Sequence, residues 1–197
     1  MIRNIVFDLG RVLFDFDHAI SFTEYERLGA KFDTRSFFKE FYIDEYERGG
    51  ICGDEFIERM QRNFPSAVDR RIIAECWQDI FTPIDEMLAL IPLIRERHRT
   101  FVLSNTCDLH WDFIEDRWKL SSLVDGSVTS FEARARKPEL EIYRFAERKL
   151  GLNAAETVFI DDIAENAQGA VAAGWAGIHH ISPARTMHEL RALDIFW

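Results

Sequence analysis

Four short apolar runs limit what this chain can fold into: IVF at 5–7, TFVLS at 100–104, TVFI at 157–160 and GIHHI at 177–181. Each is strand-sized and each adjoins a stretch with helical spacing, the pattern of parallel strands covered by helices on both faces. The expected fold is therefore α/β, a Rossmann-like, doubly wound, mostly parallel sheet. PELEIYRFAERKLG reads as one covering helix, with Pro138 at a first-turn position and Gly151 as the C-cap candidate. IAENAQGAVAAG reads as another, ending at Gly174 after small residues that suit close packing on a sheet.

Residues 16–83 interrupt this alternation. They hold no comparable β run, while FTEYERL, FFKEFYIDEYER, DEFIERMQRNF and RRIIAECWQDIF all repeat apolar residues at the helical period. The division expected is an α/β core of residues 1–15 plus 84–197 and a helical cap domain of residues 16–83. Such an insert stands over the carboxyl ends of the strands, where open α/β sheets place their ligands, with hinges near 14–18 and 82–85.

Charge and cysteine usage narrow the partners. Lysine and arginine number 24 against 34 acidic residues, a net charge of −10, which argues against a reader of the nucleic-acid backbone. A small anion stays compatible, since local donors and a bound cation can reverse the field inside one cleft. Cys52, Cys76 and Cys107 are odd in number and lack CxxC spacing, so neither a disulfide framework nor a zinc site is indicated. With no signal-peptide pattern and no apolar span, the expectation is a cytoplasmic protein without a membrane partner, monomeric or homodimeric.

The chemistry-bearing residues fall at the strand ends. Asp8 follows the first run, Ser104 and Asn105 close the second, and the adjacent acids Asp161 and Asp162 follow the third. Lys137 stands just ahead of a helix start, where backbone N–H groups favour anions. Taken singly, each has a plain structural role as a cap, a turn residue or a solvated lysine. The acid pair does not: one N-cap accounts for one aspartate, and clustered carboxylates repel unless a proton or a hard cation such as Mg²⁺ offsets them.

In this order FDLG, LSNT, the lysine of RKP, and FIDD resemble the four motifs of the haloacid dehalogenase superfamily, over essentially the whole chain. The helical insert lies where that superfamily's first (C1) type of cap is found. Within it, FDLGRVL, YERGGI, RKPELEIY and FIDDIAENAQGA look most like bacterial sugar-phosphate phosphatases related to α-D-glucose-1-phosphate phosphatase. The amino-terminal phosphatase domain of soluble epoxide hydrolases is also similar around RKPELEIY and FIDD.

The resemblance implies a Mg²⁺-dependent phosphatase acting on a small organic phosphomonoester, such as glucose 1-phosphate. Asp8 would be the nucleophile and form an aspartyl phosphate. The metal would be held by Asp8, the main-chain oxygen of Gly10 and Asp162, with Asp161 direct or through water. Ser104 and Asn105 would bind phosphoryl oxygens, and Lys137 would offset charge on Asp8 and the phosphate.

Gly10 breaks the pattern, because most phosphatases of this superfamily carry a second aspartate there as general acid and base, a role worth about 10²–10⁴-fold. Glu47 and Arg48, ahead of the Gly49–Gly50 turn, are candidates to face the cleft and contact substrate, against a plain i,i+4 surface role. Asp15 and Asp17 read as a flap residue and a helix cap. His18 and His110 are proton-transfer possibilities, set against ordinary part-buried histidines. Two other functions fit less well: a metal-independent 2-haloacid dehalogenase, which the acid pair disfavours, and a catalytically silent protein of this fold, for which Gly10 is the only encouragement.

Overall fold

The computed structural model describes residues 1–33, 36–41 and 43–197. From β1 (Asn4–Phe7) a tight loop leads into β2 (Phe14–Phe16), and the insert follows as α1 (His18–Arg27), α2 (Phe37–Glu40), α3 (Ile43–Glu47), α4 (Gly53–Gln61) and α5 (Arg70–Gln78). The chain returns through β3 (Phe81–Pro83) to α6 (Asp85–Arg95), β4 (Arg99–Ser104), α7 (Asp108–Trp118), α8 (Leu120–Leu123), β5 (Gly126–Thr129) and α9 (Ser130–Ala133). It ends with α10 (Leu140–Leu150), β6 (Thr157–Asp161), α11 (Ala164–Ala172), β7 (Ala176–His179) and α12 (Pro183–Ala192).

The main sheet runs β5–β4–β1–β6–β7, with every pairing parallel. Side-chain alternation explains why its strands read as unbroken apolar runs. Ile5, Phe7, Val102, Val158 and Ile160 pack on one face with Met87, Ile91, Ile114 and Leu190, from α6, α7 and α12. Val6, Phe101, Leu103 and Phe159 pack on the other with Ile142, Tyr143, Ala146 and Ala170, from α10 and α11. β1 is central and its neighbours β4 and β6 lie on opposite sides, so the carboxyl end of β1 is a topological switch point, the place where such sheets bind ligands.

The insert has its own aromatic core, in which Tyr25, Phe37, Tyr46, Phe56 and Trp77 are buried together. It joins the rest through β2 and β3, which pair antiparallel with Phe14 opposite Pro83 and Phe16 opposite Phe81. Asp17 caps α1 by accepting from the Ala19 N–H at 2.8 Å, as its sequence position suggests. Within FFKEFYIDEYER the helical spacing is realised as two short helices; Tyr42 lies outside the described residues.

Three expectations are corrected. β5 is a strand that the apolar runs do not mark, because GSVT is half polar. β7 spans Ala176–His179 rather than 177–181, since the His180 N–H turns back to the Asp161 carbonyl and Ile181 lies past the strand. Pro138 is not in the first turn of α10, which starts at Leu140 with Glu139 as its N-cap. The Glu139 N–H bonds the Arg136 carbonyl first, and that turn delays the helix. At the other end Gly151 takes the left-handed conformation of a C-cap, with φ +63°.

Candidate active site

The carboxyl ends of β1, β4 and β6 bring together residues more than 150 positions apart in sequence. Asp8 is fixed by its own N–H, which donates to the Ile160 carbonyl at 2.8 Å, and by the Leu9 N–H, which donates to Asp8 Oδ1 at 2.7 Å. Lys137 is buried, and its Nζ lies 2.6 Å from Asp8 Oδ1 and 2.7 Å from Asp161 Oδ2. Asn105 explains how the lysine is aimed. Its amide donates to the Lys137 carbonyl at 3.1 Å and accepts from the Lys137 N–H at 2.9 Å, tying this loop to the end of β4.

Asp161 is fully buried and completely engaged. Oδ1 accepts from the Ile163 N–H, Oδ2 from Lys137, and Asn166 Nδ2 reaches both oxygens at 3.0 and 3.1 Å. Asp162 is half-buried beside it, and its carbonyl lies 3.0 Å from His179 Nε2. One carboxylate oxygen each from Asp8, Asp161 and Asp162 falls within a common 4.8 Å.

The electrostatics of this cluster are unbalanced. Burial lifts the Asp8 carboxyl to about 7, with Lys137 pulling it down and Asp161 pushing it up. Burial likewise raises Asp162, and Asp161 adds to it. For Lys137 burial works against the charge, but Asp8 and Asp161 together outweigh it and hold the ammonium above its ordinary range. Three clustered acids against one buried lysine are a donor set of hard oxygens with excess negative charge, which suits a divalent cation such as Mg²⁺.

A cleft of about 430 Å³ over this cluster is lined by Asp8, Gly10, Glu47, Asn105, Lys137 and Asp162, among others. Of the two insert residues singled out in the sequence, only Glu47 lines it. Arg136 Nη2 stands 2.8 Å from Glu47 Oε2 but off the hydrogen-bonding direction, so that buried oxygen has a charge contact without a hydrogen bond. Burial raises the Glu47 pKa against the pull of Arg136. Arg48 instead bridges to the core, its guanidinium held by both oxygens of Glu139 and by Asp44. This is a correction to its cleft-facing expectation: α3 turns Arg48 toward the Arg136–Glu139 loop.

Ser104 is buried at the end of β4 and borders an adjoining apolar cavity with Asn105. Its neighbour Thr106 is set by Ser130, whose hydroxyl accepts from the Thr106 N–H and donates to its carbonyl, both at 3.0 Å. Two residues that the sequence reading passed over complete the arrangement, Asn166 and Arg136, together with Phe16, which alternates with Asp15 and Asp17 in the flap. Asn166 alone had a legible signal, standing in the first turn of the helix that follows the acid pair.

His110 is not placed for proton transfer at the cluster. Its ring stacks on Trp77 at 4.8 Å, with Nε2 3.0 Å from the Trp77 carbonyl, and burial lowers its pKa to about 3. The unfolded chain takes up this proton near 6.5 and the folded one only near 3, so the stability His110 contributes is complete above 6.5 and lost as pH falls below it. His110→Gln keeps a donor for the Trp77 carbonyl, and its denaturant midpoint should fall less steeply than that of the parent between pH 7 and 4. A displacement of this size is worth on the order of 4 kcal/mol; equal slopes would refute the assignment.

The chain is similar in sequence and in structure to known proteins. The haloacid dehalogenase-like hydrolase family matches residues 2–174. The D-ribitol-5-phosphate phosphatase of Bacteroides thetaiotaomicron is 28% identical over 176 residues, 84% of this chain and 85% of that protein. The sesquiterpene phosphatase AstK of Aspergillus oryzae is 41% identical over 71 residues, 36% of each chain. Among solved structures, a HAD family enzyme of B. thetaiotaomicron in complex with magnesium and inorganic phosphate superposes with a TM-score of 0.82 and 26% identity, covering 89% of this chain and 92% of that one.

Proposed function

The chain belongs to the haloacid dehalogenase-like hydrolases, and from that premise we propose that it is a magnesium-dependent phosphatase of a small organic phosphomonoester, with Asp8 as nucleophile. The observation that carries this reading is the Asp8–Lys137–Asp161 bridge with Asp162 alongside: a fixed carboxylate nucleophile in a cluster that needs a cation. Both Lys137 and the Leu9 N–H fall on Asp8 Oδ1, which leaves Oδ2 as the attacking oxygen. Attack on phosphorus forms the aspartyl phosphate and expels the alkoxide, which takes a proton from solvent, and water then opens the mixed anhydride to return Asp8 and inorganic phosphate. Lys137 keeps its positive charge at the developing negative charge throughout. A magnesium ion would be held by Asp8, Asp162, the Gly10 carbonyl and Asp161, directly or through water, and would offset the charge that keeps an anionic carboxylate from an anionic ester.

Ser104 and Asn105 are assigned to the phosphoryl group. For Asn105 the side chain is engaged with Lys137, so its donor is the main-chain N–H. The helices of residues 16–83 act as a cap whose Glu47 faces the ester, while Arg48 secures the cap to the core through Glu139. The relatives' names span a polyol phosphate and a terpenoid phosphate, and the motif resemblance adds sugar phosphates such as glucose 1-phosphate, so the class common to all is the phosphomonoester.

p-Nitrophenyl phosphate should be hydrolysed with Mg²⁺ and not with a chelator, and hydrolysis indifferent to metal would sink the proposal. Lacking an acid at Gly10, the enzyme should also turn over glucose 1-phosphate faster than glucose 6-phosphate, because the anomeric oxygen leaves with less help from a proton. A clear preference for the 6-phosphate would point to an acid elsewhere in the cleft.

A further inference from the structure

Past Gly10 the cleft continues into a second cavity of different character. Its volume is about 80 Å³, and its walls include Phe16, His18, Phe38, Trp77, Phe81 and His110. Gly10, Phe16, Glu47 and Asn105 border both spaces, so an ester with its phosphorus at Asp8 sends its alcohol portion into this one. An apolar cavity of roughly 150 Å³ takes up a whole benzene ring. At about half that volume and open on one side, this cavity takes up part of a ring whose phosphate-bearing edge stays in the adjoining cleft.

Some of the polar groups in its walls are already engaged. Tyr46 spends its hydroxyl on Asp108, and His110 Nε2 is held at the Trp77 carbonyl. Burial lowers the pKa of both His18 and His110, so neither brings positive charge. Among the described residues, the buried lining atoms without a hydrogen-bond partner are His18 Nδ1, Trp77 Nε1 and Glu47 Oε2. A sugar or polyol seated here would find these three atoms and the end of β4 beside otherwise mostly aromatic walls, and each hydroxyl left buried and unpaired weakens binding. Aromatic surface instead favours a ring in tilted or edge contact, the arrangement in which His18 already meets Phe38 at 5.1 Å.

A second observation concerns the leaving group. A Cβ on Gly10 would lie 2.8 Å from Phe16 Cε1, so the Phe16 ring occupies the space that an acid at this position needs. The expelled oxygen gets no proton from there. A phenol, with an ordinary pKa near 10, departs as its anion far more readily than an alkyl alcohol, whose acidity is nearer that of water at about 16.

Resting on the phosphatase reading above, we propose that the substrate is an aryl phosphate monoester, its ring in the aromatic cavity and its phenolate oxygen the leaving group. The Asp8 oxygen–phosphorus bond forms as the phosphorus–aryl oxygen bond breaks, and the electron pair leaves on the phenolate, which solvent protonates. Water then attacks to release phosphate and restore Asp8.

Three esters separate the two parts of this argument: phenyl phosphate, cyclohexyl phosphate with its poorer leaving group, and glucose 1-phosphate with an easily expelled but polyhydroxylated one. Phenyl phosphate should show a KM at least about tenfold below that of glucose 1-phosphate, the scale of burying one ring. By calorimetry, phenyl and cyclohexyl phosphates should bind Asp8→Asn with similar affinity, while only the former is turned over rapidly by the native enzyme. Phe38 is 43% exposed, so Phe38→Ser should fold. It should lower the ratio of kcat/KM for phenyl phosphate to that for glucose 1-phosphate by about three- to tenfold, the range for one aromatic contact. Tighter binding of glucose 1-phosphate, or a ratio unmoved in Phe38→Ser, overturns the aryl assignment while leaving the phosphatase intact. Failure to hydrolyse any of a broad panel of esters overturns both.

Discussion

Asp8→Asn should lose phosphatase turnover by about 10⁴-fold or more, as removal of a covalent nucleophile does elsewhere, while the protein remains folded. The side chains are nearly the same shape, and Lys137 keeps Asp161 as a partner at 2.7 Å. Folding pushes the native Asp8 carboxyl up to about 7 through burial, so without metal the folded state prefers it protonated. The sign follows: stability from this group is greatest below the ordinary carboxylate range and declines as pH rises toward 7. Asparagine stays neutral and escapes that decline. In the absence of magnesium the variant should therefore melt above the parent at pH 8, with the gap narrowing toward pH 4. A variant that keeps turnover would remove Asp8 from the chemistry, and one that melts well below the parent would mean that its loss of activity reports unfolding.

Lys137→Met should be the most damaging single change to stability in the site. Its ammonium is buried between two carboxylates, and removing it leaves Asp8 and Asp161 uncompensated, which costs about 3–5 kcal/mol. For a chain of this length that is a fall in melting temperature of roughly 10 °C or more. Activity should drop by at least about 10²–10³-fold, the scale for losing one preorganised donor at developing charge. Magnesium supplies the diagnostic: it should raise the melting temperature of Lys137→Met more than that of the parent, because a cation among the three acids replaces part of the missing charge. If millimolar Mg²⁺ moved neither, the acid cluster would not be a metal site.

Much of this site was legible because chemistry sits where local pattern changes. Asp8, Ser104, Asp161 and Asp162 each mark the end of an apolar run, and burial on both faces makes such runs conspicuous. What stayed hidden depends on contacts between distant segments. GSVT became a strand through pairing with β4, not through its own pattern. Asn105 reads as phosphate chemistry, yet its side chain clamps a backbone 32 positions away. Arg48 and Glu47 are neighbours in sequence, and only the orientation of α3 decides that one faces the cleft and the other Glu139. The consequence of Gly10 depends on Phe16, whose ring fills a space that a one-dimensional reading records merely as a missing side chain.

The pairing of β2 with β3 means that the chain leaves the sheet domain and re-enters it at neighbouring points, about 5 Å apart, the spacing of hydrogen-bonded strands. Everything between those points is a closed detour. The pairing holds the two ends together, and Arg48 and Asp44 within the detour tie it further to Glu139 and Arg136, on either side of Lys137. Much of the wall of the aromatic cavity lies on that detour, whereas Asp8, Lys137 and Asp161 do not. On the proposed reading, the groups that would select the alcohol and those that would break the bond lie on different stretches of the chain, so exchanging the detour between relatives should shift substrate preference more than reactivity.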